Sequence, residues 1–88
     1  MEVKPYYVYL LVCADGTFYT GVTTDTQRRV REHNNSLKGA KYTRARRPVS
    51  LAYEEECVSR SEAQKREYVL RKLPRAQKVS LMGGGLLV

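Results

Sequence analysis

Apolar positions along the first quarter of the chain fall into two short runs that read as strands. Tyr6 to Cys13 is apolar at nearly every position, the pattern of a strand covered on both faces. Phe18 to Val22 is the second strand. Asp15-Gly16 between them is a hairpin signal, because tight turns of this kind need positive φ. A strict two-residue turn would pair Val12 with Tyr19 and send Tyr19 to the face opposite Tyr9. The two tyrosines share a face only with an odd-length loop or a bulge, and an extra residue is expected between Asp15 and Thr17. Thr23-Thr24-Asp25 then offers caps for a helix from Thr26 to Asn34, polar almost all round, with Val30 as its clear core residue.

A loop is expected from Asn34 to about Pro48, and a third strand from Val49 to Glu54. Ser59 or Ser61 caps a second helix reaching Leu73, with Glu62 placed as in a capping box. Pro74 suits the first turn of a third helix, which Gly83-Gly84-Gly85 stops. The order strand, strand, helix, strand, helix, helix predicts an α+β fold: a small three-stranded, mainly antiparallel sheet flanked by helices. One domain over residues 1–82 and a loose tail over 83–88 are expected.

Charge changes the picture. Sixteen Lys and Arg face nine acids, a formal charge of +7 on 88 residues. The cations cluster, first at Arg28, Arg29 and Arg31, then from Lys38 to Arg47, and again from Lys65 to Lys78. Clustered positive charge on so small a body attracts polyanions such as nucleic acid. Cys13 and Cys57 lack any metal-ligand spacing and read as small buried hydrophobes, which argues against zinc. No signal peptide and no membrane-spanning run appears, so a reducing cytoplasmic setting is the default.

Five residues carry candidate chemistry. Tyr9 and Tyr19 sit in the paired strands. Arg29 and His33 are one turn apart on the first helix, where an arginine can grip phosphate bidentately. His33 is the single histidine and reads best as a hydrogen-bonding support. Glu67 borders the apolar stripe of Ala63 and Leu70, as Glu62 does nearby, and pairs with Arg71 or holds a metal. Lys41, Tyr42, Thr43 and Arg44 interleave cations, a ring and a hydroxyl, suited to phosphates and a stacked base or to a plain solvated loop.

Together these motifs resemble the GIY-YIG nuclease superfamily, and in particular its small stand-alone bacterial proteins. Tyr7-Val8-Tyr9 corresponds to the first triplet and Tyr19-Thr20-Gly21 to the second. The Arg-x-x-x-His helix and the later glutamate follow at fitting distances. Tyr7 stands where the family has glycine, and Thr20 where it has isoleucine. The resemblance implies that Tyr9 activates the attacking water and that Tyr19 is the second active-site tyrosine. It implies that Gly21 lets the backbone turn closely, that Arg29 binds the scissile phosphate, and that Glu67 rather than Glu62 holds one Mg²⁺ or Mn²⁺. His33 matches a position often held by histidine. Gly21, Arg28, Arg31, Lys41, Tyr42, Thr43 and Arg44 are the expected nucleic-acid contacts. The implied activity is endonucleolytic hydrolysis, of DNA before RNA, with a role in DNA repair and with a protein partner for targeting. The rivals are a nucleic-acid-binding module with an unused site and an adaptor docked on a larger repair complex.

Overall fold

The structure is a computed structural model and describes residues 4–82. The expected tail at 83–88 lies outside the described residues. β1 (Tyr6–Val12), β2 (Phe18–Thr23) and β3 (Ser50–Cys57) form one antiparallel sheet in the order β2-β1-β3. α1 (Thr26–Asn35) and the one-turn α2 (Lys41–Arg44) lie between β2 and β3, and α3 (Arg60–Arg71) and α4 (Arg75–Met82) follow. The α+β architecture expected from the sequence is the one observed.

The central strand feeds two cores, because alternate side chains leave opposite faces. Val8 packs with Cys57, Ala63 and Leu70 under α3, and Leu81 of α4 joins them. Tyr9 and Leu11 pack with Cys13 and Val49, with Val30 of α1 against them. β1 is therefore buried on both sides, and its continuous apolar run follows from that.

The hairpin loop contains the odd residue. Val12 pairs with Phe18, and the Cys13 N–H still reaches Thr17 O at 2.8 Å, leaving Ala14-Asp15-Gly16 as the turn. Gly16 has φ +84°, the left-handed position of a three-residue loop with its bulge. Leu11 consequently faces Tyr19, so Tyr19 shares a face with Tyr9.

Two boundaries differ from expectation. β3 runs on to Cys57, through Glu54-Glu55-Glu56, a run with poor strand propensity. Pairing with Tyr9, Val8 and Tyr7 carries it, and Glu55 is held by the Tyr53 hydroxyl at 2.6 Å and by both arms of the Arg66 guanidinium. The expected loop after α1 contains α2. The inner face of α1 is polar: Thr26 and His33 are buried, while Val30 is only partly so. Around His33 and Asn34 hydrogen bonds do what apolar contact does elsewhere. Asn34 exchanges two bonds with the Val49 backbone (2.9 and 2.7 Å), and Arg47 donates to the His33 and Ser36 carbonyls at the C-terminus of α1.

Candidate active site

Tyr9 lies across its cross-strand partner Gly21, and only a glycine leaves room for it. A Cβ at Gly21 would fall 2.5 Å from Tyr9 Cζ and closer still to its hydroxyl. The hydroxyl passes under the sheet to His33, whose Nε2 is 2.8 Å away. At the other side of the imidazole, Nδ1 meets Thr43 Oγ1 at 2.9 Å and the Ala40 N–H at 3.3 Å. Gly39 packs directly on α1 at Glu32 and His33, which brings Ala40 and Thr43 within reach of the ring. Both ring nitrogens are thus engaged, Nε2 by the Tyr9 hydroxyl and Nδ1 by the Thr43 hydroxyl and the Ala40 N–H. Tyr9, His33 and Thr43 are all essentially buried (1%, 0% and 0% exposed).

Burial, with Tyr19 adding and Arg29 opposing, pushes the Tyr9 hydroxyl up to about 12. Burial first, then the Arg29 charge, pushes His33 down to about 4, so the imidazole is neutral at physiological pH. Tyr19 is half-buried, and its ring meets His33 edge-on at 5.1 Å and Tyr42 in an offset stack at 6.1 Å. Burial raises the Tyr19 hydroxyl too, with the Arg29 charge pulling it back.

Arg29 leaves α1 toward the free edge of β2. Its Nη1 donates to Glu32 Oε1 and to the Lys38 carbonyl, both at 2.8 Å, which fixes the plane of the guanidinium. Glu67 leaves α3 toward the same edge from the other face of the sheet. An open cavity of about 380 Å³ is lined by both Arg29 and Glu67, with Thr23, Thr24, Arg60 and Gln64. A second cavity, about 290 Å³, is lined by Tyr19, Tyr42, Glu67, Arg71 and Lys78. Glu67 is the residue common to the two. Its carboxylate is only loosely paired, with Arg71 Nη1 at 3.9 Å. Tyr19, Arg29 and Glu67 thus converge on the β2 edge, and Tyr9 and His33 stand behind Tyr19.

A family model described as the GIY-YIG catalytic domain matches residues 5–80. The chain belongs to the GIY-YIG family. It is 56% identical over 77 residues to a UPF0213 protein of Desulfotalea psychrophila, covering 88% of this chain and 70% of that one. It is 57% identical over 76 residues to a UPF0213 protein of Halobacterium salinarum, covering 86% of this chain and 97% of that one. The solution structure of protein EF2693 from E. faecalis matches with a TM-score of 0.60 at 47% identity, over 94% of this chain and 88% of that one. The GIY-YIG domain is a nuclease family, and the names of these relatives specify no activity.

Within this GIY-YIG domain several expected roles change. Thr43 was expected to touch nucleic acid, but its buried hydroxyl is spent on His33 and on the Ala40 carbonyl. Gly21 is also buried, with no positive φ, and its use is to admit the Tyr9 ring rather than to bend the chain or meet a polyanion. Tyr42 is 37% exposed but lies between Tyr19 and the Arg46 guanidinium, 3.8 Å from the ring centroid, which leaves little face for a base. Tyr9, expected at the attacking water, is 1% exposed, whereas Tyr19 is half-buried. Arg28, Arg31, Lys41 and Arg44 are exposed. Arg47 belongs to a basic cluster in sequence yet is a structural cap.

Sequence reasoning missed Arg60, Gln64, Arg71 and Lys78 as cleft residues. A signal was present: Arg60, Gln64, Glu67 and Arg71 recur at the spacing of one helical stripe. That stripe runs beside the buried positions Ala63 and Leu70.

A divalent cation fits this donor set in one way. Among the described residues no three His, Cys, Asp or Glu side chains gather into a cage. A lone carboxylate at the cleft, completed by water and substrate oxygens, is the donor set Mg²⁺ accepts on phosphate substrates.

The neutral buried imidazole has a measurable consequence. An unfolded His33 takes up its proton near 6.5, and the folded one only near 4. The unfolded state binds more protons in that window, so this contribution to stability is complete above pH 6.5 and falls as pH drops toward 4. The full loss is about 3 kcal/mol. Because the chain has a single histidine, its ring resonance can be followed by NMR without ambiguity. It should show no titration until the pH is below about 5; a midpoint near 6.5 would contradict the buried chain from Tyr9 to Thr43.

Proposed function

We propose that this GIY-YIG domain is a divalent-metal-dependent endonuclease acting on DNA. The observation that carries the reading is that Arg29 and Glu67, from helices on opposite faces of the sheet, line one cavity at the β2 edge, with Tyr19 at its continuation.

Glu67 would hold the cation, which when bound supplies charge to the phosphate and to the departing oxygen. Arg29, its plane fixed by Glu32 and Lys38, presents its remaining hydrogens to a non-bridging oxygen and neutralises charge as it develops. Tyr19 reaches the cleft and orients the attacking water by accepting one of its hydrogens. Water oxygen bonds to phosphorus, the bond to the leaving nucleotide oxygen breaks, the water's proton passes to solvent, and the departing oxygen takes a proton from solvent. Tyr9 supports Tyr19 from behind, the two ring centroids 6.5 Å apart and the Tyr9 hydroxyl held by His33. His33 holds Tyr9 in place and, being neutral, adds no charge beneath the cleft.

The test compares single-stranded, duplex and branched DNA and RNA, with Mg²⁺ or Mn²⁺ and with chelator. Tyr19→Phe should lose about 10²-fold or more in cleavage rate. Tyr9→Phe should lose less and should also destabilise the fold, since it leaves the buried His33 Nε2 without its partner. Binding of every substrate with cleavage of none would overturn the enzymatic reading. A larger loss in Tyr9→Phe than in Tyr19→Phe would return the water to Tyr9.

A further inference from the structure

The α3 stripe does more than carry Glu67. Arg60 and Gln64 lie N-terminal to it and line the cavity that holds Arg29. Arg71 lies C-terminal to it, and Lys78 of α4 extends that side along the cavity that holds Tyr19. Along the helix axis Arg60 is about 10 Å before Glu67, and Arg71 about 6 Å after it. Lys78 is tied to the end of α3 by a bond from Nζ to the Arg71 carbonyl at 3.0 Å, so the two cations form one continuous flank. Among the described residues Arg60 makes no ion pair, whereas most cations nearer the centre are engaged: Arg28 and Arg29 with Glu32, and Arg71 loosely with Glu67. The carboxylate is thus bracketed by positive charge on both sides, with an open cavity on each.

A site for a terminal phosphate needs charge on one side only. A bracketed one matches a chain that enters past one flank and leaves past the other. We propose that Arg60 with Gln64 on one side, and Arg71 with Lys78 on the other, form two flanking phosphate subsites that hold a single DNA strand across Glu67. This rests on the nuclease reading for the position of the scissile linkage. The strand runs along α3, and the linkage opposite Glu67 and Arg29 is internal. Arg60 and Lys78 act in grip and register and touch no reacting atom.

Binding in the presence of chelator separates this inference from catalysis, because nothing is cut. Backbone amide shifts of the labelled protein are followed by NMR as a deoxydinucleotide and then longer deoxyoligonucleotides are added. The dinucleotide should perturb residues around Arg29 and Glu67. Longer strands should extend the perturbation to both Arg60–Gln64 and Arg71–Lys78. Arg60→Gln and Lys78→Gln should each weaken the longer strand about fivefold and reduce its salt slope by about 0.7, the value for one phosphate contact on a single strand. Both should leave dinucleotide affinity unchanged. The inference is overturned if a longer strand leaves either flank unshifted, if it does not bind, or if the two variants weaken dinucleotide and longer strand alike. Two perturbed flanks in a chain that never cuts with Mg²⁺ or Mn²⁺ would keep the subsites and sink the nuclease reading instead.

Discussion

If the proposed nuclease reading holds, Glu67→Gln should lower the rate of DNA cleavage by about 10²–10³-fold while leaving DNA binding intact or slightly tighter. Loss of the charged ligand removes several kcal/mol of stabilisation, and each 1.36 kcal/mol is tenfold in rate. Glutamine keeps the shape and the hydrogen-bonding reach of the side chain. It also removes one negative charge from between Arg60 and Arg71, so a polyanion gains rather than loses attraction. The structural cost is small, because among the described residues the only ion pair of Glu67 is the loose 3.9 Å contact with the exposed Arg71, a pair of little energetic worth. The check is a parallel measurement of cleavage rate, DNA affinity and thermal midpoint. A loss of rate that tracks a loss of folding would remove Glu67 from the chemistry.

Gly21→Ala is expected to destabilise the fold strongly. The new Cβ would occupy the Tyr9 hydroxyl and ring edge, atoms held on their far side by His33. The ring cannot simply swing away, since Tyr9 is fully buried and its partner is locked by Thr43 and Ala40. Overpacking of this kind costs about 1–3 kcal/mol, or roughly 5–20 °C in the melting midpoint of a domain this size. The double variant Gly21→Ala with Tyr9→Ala isolates the cause. If the Tyr9 ring is what the methyl meets, Gly21→Ala should cost much less in the Tyr9→Ala background. An equal cost in both backgrounds would point to the strand itself.

What could be read from the chain was whatever depends on local pattern. The runs flanking Asp15-Gly16, the caps at Asp25 and Ser59, and the position of Glu67 beside Ala63 and Leu70 all lie within a few residues of the features they specify. The need for an odd turn was visible as well, because a two-residue loop cannot put Tyr9 and Tyr19 on one face. What could not be read was the direction of side chains whose partners are remote in sequence. Thr43 and Arg47 look like members of a basic loop, and only the packing of Gly39 on α1 turns one toward His33 and the other onto the helix end. The three glutamates of β3 lack strand propensity and are carried by tertiary pairing with β1. The different burial of the two tyrosines has the same origin. Triplet order treats Tyr9 and Tyr19 as equals, whereas a central strand buries one and an edge strand exposes the other to the cleft.

The arrangement depends on one carboxylate from α3 meeting one guanidinium from α1 and one phenol from β2 around a common point. Paramagnetic broadening by Mn²⁺ reads that directly. Substoichiometric Mn²⁺ added to the isotope-labelled protein should broaden resonances around Glu67, Tyr19, Thr23 and Arg29 together, and the Glu67→Gln variant should lose all of that broadening at once. Broadening centred instead on the acidic run of β3, at Glu54 to Glu56, or unchanged by Glu67→Gln, would contradict a shared metal-bearing cleft.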